Sequence, residues 1–180
     1  KLNELYDEHP ELFGTPSTLR WEHIPVSMGL GNACSDLSIQ VHPTENYALK
    51  YLNCHGKSES WYIVDCPENS DIVMGHNANT MEELDEYIAN EDWDGLLKRY
   101  PILPGSYYNI QAGTLHAIQK GTTFMEVCNP CPVTYRFYDY NRLDKSGKHR
   151  KLDIEKAKKN ILVPFVCQNT VYHYRNDKGV

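Results

Sequence analysis

Gln40 and His42 lie two residues apart in the stretch Leu37-Ser38-Ile39-Gln40-Val41-His42-Pro43. The run alternates strictly, Ile39 and Val41 against Ser38, Gln40 and His42, so it reads as a β-strand with its polar residues on one face. That spacing holds an amide oxygen and an imidazole about 7 Å apart along the strand, half of a metal-binding set. Pro43 has no N–H for a ladder and ends the strand, which leaves His42 at a strand mouth. A second strand-like run, Gly56 to Val64, places Lys57, Glu59 and Trp61 on one face: a cation, a carboxylate and an aromatic ring.

A third stretch, Gly105 to His116, resembles the second cupin motif, which is a glycine, five residues, a Pro-x-Gly turn, two residues and a metal-binding histidine. Gln111 stands where that turn has its proline, a change that costs turn rigidity but no ligand. The resemblance makes His116 a ligand. Gln40, His42, Glu59 and His116 then supply two nitrogens and two oxygens, a four-coordinate set suited to zinc.

The elements that must position these residues fit a single domain. The chain has 180 residues, enough for one real core, with 41% hydrophobic residues and thirteen tyrosines that suit a β-rich protein. No apolar run reaches the length of a membrane helix, and a net charge of −6 argues against a nucleic-acid partner. A few local cations can still hold an anionic small molecule, because charges beyond a Debye length count for little. With no signal-peptide pattern at Lys1, the six cysteines are expected to be reduced and the protein cytoplasmic. Cys128-Asn129-Pro130-Cys131 has the spacing of a redox pair or half a zinc site. It precedes no helix and has no second CxxC, so two packed thiols are expected.

In chain order, Leu2, Leu5 and Tyr6 mark a short packing helix within Lys1 to Leu12, with Gly14 placed to stop it. Thr15 to Asp36 reads as loop, rich in glycine, with His23 structural. This assigns residues 1–36 to a helix and lead-in loop, and residues 37–180 to the main domain. Thr44 to His55 reads as a short helical connection ending in a solvated His55. Trp61 to Cys66 and Ser70 to Gly75 read as strands. Thr80, capping with Glu83, opens a helical insert near 80–99 with Met81, Leu84, Tyr87 and Ile88 as its apolar stripe, and Pro101 and Pro104 close it. Strands resume at Tyr107, Ile118, Phe124 to Val127 and Thr134 to Tyr140; Leu152 to Ile161 reads as a helix and Phe165 to Tyr174 as a strand. The expected fold is mainly β, an antiparallel jelly-roll barrel with a short helical insert and small flanking helices.

Four segments in order, Leu37 to Pro43, Gly56 to Ile63, Ala112 to Ile118 and Thr134 to Tyr140, resemble type I phosphomannose isomerase in its short bacterial form. The resemblance implies a cupin with one zinc ion per chain, held by Gln40, His42, Glu59 and His116, that interconverts mannose 6-phosphate and fructose 6-phosphate. It makes Arg136 the catalytic arginine and Lys57 the active-site lysine, which can hold the phosphate or, if burial lowers its pKa, shuttle a proton. The family's second, C-terminal β-domain is expected to be largely missing from these 180 residues. The competing expectation is a non-catalytic, metal-containing sugar-binding cupin. An iron oxygenase fits less well, because a glutamine ligand is foreign to its usual histidine-rich sites.

Overall fold

The structure, a computed structural model, describes residues 1–13 and 24–167 together with the backbone of 172–173. Among the described residues, ten strands form two five-stranded sheets. The first sheet has the order β1 (Ser27–Asn32), β8 (Thr123–Cys128), β3 (Glu59–Asp65), β6 (Ser106–Ile110) and β10 (Tyr172–His173). The second has β5 (Leu97–Pro101), β4 (Asp71–His76), β7 (His116–Ile118), β2 (Ile39–Val41) and β9 (Tyr135–Tyr138). Every pairing between these strands is antiparallel. The helices are α1 (Leu2–Glu8), α2 (Glu45–Tyr51), α3 (Met81–Ala89), α4 (Trp93–Leu96) and α5 (Ile154–Lys158).

Alternation along each strand divides the apolar residues into two cores. Between the sheets, Trp61, Ile63, Tyr108 and Ile110 of the first meet Ile72, Met74 and Ile118 of the second. On the second sheet's other face, Ile39, Val41, Val73, Ala117 and Phe137 pack under Leu84 of α3, Leu96 of α4 and Ala157 of α5. Each large side chain so buried stabilises the fold by about 1.5–3 kcal/mol. The helical insert is therefore a cover for the outer face of one sheet, and it leaves the space between the sheets to the site.

The expected barrel and insert are present, with differences that have physical causes. Thr80 caps α3 by accepting from Glu83 N at 3.2 Å, while the Glu83 carboxylate reaches back to Asn79 N at 2.7 Å. The glycine-rich lead-in holds a strand, β1, where loop was expected. A Cβ on Gly31 would lie 3.0 Å from the Phe124 ring, so glycine at this position makes room for a neighbour. β5 was likewise hidden, because Pro101 at its end reads as a stop. Helix α1, expected within Lys1 to Leu12, spans Leu2–Glu8, and Pro10–Leu12 follows as a 3₁₀ turn; Tyr6 packs edge-on against Phe13 while Leu2 and Leu5 stay exposed. Gly14, His23 and residues 168–171 and 174 of the strand expected at Phe165 to Tyr174 lie outside the described residues; Phe165 to Cys167 form no strand, and Tyr172–His173 pair with β6. No helix among the described residues is long and apolar enough to cross a membrane.

Candidate active site

The second sheet's register assembles one side of the site. Gln40 stands directly opposite His116 on β7 and opposite Arg136 on β9, so the three side chains share a face, and His42 follows two residues along the same strand direction. A bulge beyond Gln40 pairs Ile39 with Tyr138 and skips Phe137. Tyr138 consequently turns to the helical side and stacks on Trp93 at 4.2 Å, away from Arg136. The first sheet supplies the other side: Glu59 opposite Cys128, and Trp61 opposite Glu126.

Across the space between the sheets, His42 Nε2 lies 3.0 Å and His116 Nε2 3.6 Å from the Glu59 carboxylate, and the two imidazole centroids are 4.9 Å apart. All three residues are buried. His42 Nδ1 lies 3.0 Å from the Val133 carbonyl and His116 Nδ1 2.8 Å from the Thr114 carbonyl. A carbonyl only accepts, so each Nδ1 carries the proton and each Nε2 turns a lone pair towards Glu59. Neither Nε2 has a hydrogen-bond partner. Burial pushes His116 down to about 4 despite the nearby carboxylate, which keeps it neutral and able to ligate. Burial would raise Glu59, but His42, when its ring carries both protons, and Lys57 outweigh it and hold the carboxyl well below its ordinary range. Two lone pairs facing a carboxylate inside a buried pocket are what a divalent cation requires, and the carbonyl-anchored Nδ1 atoms are the usual outer supports of such ligands.

Lys57 Nζ sits 2.6 Å from Glu59 and 3.9 Å from Glu126. Burial works to lower its ammonium, yet the two carboxylates more than offset that, and Lys57 is held above its ordinary value as a charged donor. The condition for proton shuttling, a lowered pKa, is therefore not met in this arrangement. Arg136 anchors one arm, Nη1, on the Lys151 carbonyl at 2.9 Å, while its buried Nε has no partner. Trp61 stands edge-on to His116 with centroids 5.5 Å apart and closes the floor. A separate cavity of about 300 Å³, lined by Ser58, Asn109, Gln111 and Thr114 among others, contains none of these groups.

Glu126 was not foreseen. Its carboxylate, the Glu59 carboxylate and the Cys128 thiol bring ligand atoms within 4.8 Å of one another, and only the pairing of β3 with β8 puts it there. The Cys128 thiol donates to Glu126 at 3.3 Å; burial and then Glu126 push it up to about 11, so it stays protonated and is a poor ligand. The CxxC cysteines are both buried and unbonded, as packed thiols, but Cys131 faces Cys54 instead of Cys128. His55 differs from the solvated loop residue expected: its Nδ1 lies 2.7 Å from Glu45, whose other oxygen accepts from Gly56 N at 2.7 Å.

Two facing antiparallel sheets with a His–Glu–His cluster between them define a cupin-type barrel with a candidate metal centre. Along nearly its whole length the chain is similar in sequence to proteins named mannose-6-phosphate isomerase. It is 42% identical over 166 residues to the probable mannose-6-phosphate isomerase GmuF of Bacillus subtilis, covering 92% of this chain and 52% of that protein. It is 41% identical over 174 residues to mannose-6-phosphate isomerase ManA of the same organism, covering 96% and 54%. The crystal structure of the Bacillus subtilis mannose 6-phosphate isomerase matches with a TM-score of 0.81 at 41% identity, over 93% of this chain and 53% of that one. The chain thus spans about half the length of the relatives it matches. No family model matches it.

Proposed function

We propose that the chain interconverts mannose 6-phosphate and fructose 6-phosphate through an enediolate, as a cytoplasmic enzyme with one zinc ion held by Gln40, His42, Glu59 and His116. The observation that carries this reading is the pair of buried, partnerless Nε2 atoms turned on Glu59, in a barrel homologous to mannose-6-phosphate isomerases along nearly its whole length. Six unpaired cysteines accord with a reducing compartment. Bound zinc supplies Lewis acidity that polarises adjacent sugar oxygens.

The chain's own residues do the rest. Moving a proton between adjacent carbons needs a base beside them and positive charge where the oxyanion develops. Arg136, fixed by one arm and with Nε unengaged, offers that charge from a planar fork at no reorganisation cost. Lys57, a charged donor between Glu59 and Glu126, is suited to a sugar oxygen or the phosphate. Glu126 is the partly exposed carboxylate of the group, not committed to either histidine, and is suited to holding the mobile proton. Trp61 excludes water from the floor.

The test is a phosphorus and proton NMR time course of mannose 6-phosphate with the purified chain. The expected result is growth of fructose 6-phosphate signals at a rate proportional to protein. Shifted or broadened mannose 6-phosphate signals without conversion would identify the non-catalytic binder instead.

A further inference from the structure

The thiols of Cys54 and Cys131 lie 3.9 Å apart, and the loops that carry them form one rim of the site. Cys54 precedes Lys57 and Glu59 in the loop after α2. Cys131 lies in the loop after β8, two residues before Val133, whose carbonyl fixes His42. The loops are already tied by reciprocal hydrogen bonds, Asn129 N to Ser58 O at 3.1 Å and Ser58 N to the Asn129 side chain at 3.2 Å. The thiol pair is thus a second contact between two segments that together position Lys57, Glu59 and His42.

We propose that Cys54 and Cys131 are an oxidisable pair whose disulfide clamps this rim. The sulfurs must close from 3.9 Å to about 2.05 Å, a movement within reach of loop side chains on already tethered segments. Cys54 is partly exposed and Cys131 buried, so Cys54 meets the oxidant first. With a peroxide as oxidant, the Cys54 sulfur attacks one peroxide oxygen, the O–O bond breaks, and water leaves to give a sulfenic acid. The Cys131 sulfur then displaces the sulfenic oxygen as a second water, forming the S–S bond; the two sulfurs are oxidised and the peroxide is reduced to two waters. The clamp restricts the segments around Lys57 and Val133 without touching a ligand atom. This pairing is independent of the isomerase reading, because it rests on the thiols and loops alone.

The test is oxidation of the purified chain with hydrogen peroxide, alkylation of remaining thiols, and non-reducing peptide mapping with fragmentation that separates Cys128 from Cys131. The expected result is a Cys54–Cys131 link that dithiothreitol reverses and that Cys54→Ser abolishes. In the linked protein, amide exchange across residues 52–58 and 129–134 should slow several-fold, and in oxidised Cys54→Ser it should not. A link from Cys128 to either residue, no link at all, or a Cys54–Cys131 link with unchanged exchange would each overturn the proposal.

Discussion

His42 and Glu59 present acceptors to each other, because the Val133 carbonyl takes the proton on His42 Nδ1 and leaves Nε2 bare 3.0 Å from a carboxylate oxygen. Only a cation between them, or a ring carrying both protons, relieves that opposition. In the proposed reaction Arg136 serves a different moment. Its charge matters most when the enediolate oxygen turns negative, so Arg136→Ala should lower kcat by on the order of 10²–10³ while KM moves less and metal content is unchanged. A variant that keeps kcat and loses only substrate affinity would make Arg136 a phosphate anchor and move the chemistry towards Lys57. Because Cys128 is protonated and Cys131 faces Cys54, replacing both with serine should leave metal stoichiometry unchanged. The clustering of His42, Glu59 and His116 was legible because a strand's period of two and a glycine-punctuated turn are local signals. Glu126 was not, since its place depends on β8 lying beside β3, a pairing no local pattern encodes.

At the scale of elements, the turn that delivers His116 is held by the chain's far end. Gly113 has φ +88, its N–H bonds the His42 carbonyl at 3.1 Å, and a Cβ there would lie 2.6 Å from the Asn160 carbonyl. Gly113→Ala should therefore cost about 1–2 kcal/mol in backbone strain alone, with the Asn160 clash adding to it, and should lower Tm in a thermal melt. Thr80→Ala removes the cap of α3 and should cost about 1 kcal/mol without altering the site. The amphipathic α3 and its cap were readable because they repeat at helical spacing. β1 and β5 were not: glycine and proline weaken strand propensity locally, and it is the partners β8 and β4 that decide those segments.

For the molecule as a whole, Asp139 ties the end of β9 to the following hairpin. It is buried and receives Arg142 and Arg150, and these guanidiniums overcome the effect of burial to hold its carboxyl below the ordinary value. A carboxyl depressed in the folded state stabilises at pH above its unfolded value and loses that contribution as pH falls through the folded one. Stability should therefore decline below about pH 4, and urea midpoints of Asp139→Asn should be lower at neutral pH and flatter over that acid range. The proposed function requires a metal that joins His42, Glu59 and His116. The direct measurement is to strip the 180-residue protein of metal and follow mannose 6-phosphate turnover during zinc titration. Turnover should be absent at the start, rise in proportion to added zinc and level off at one ion per chain; turnover indifferent to zinc, or zinc bound at that stoichiometry with no turnover, would contradict it.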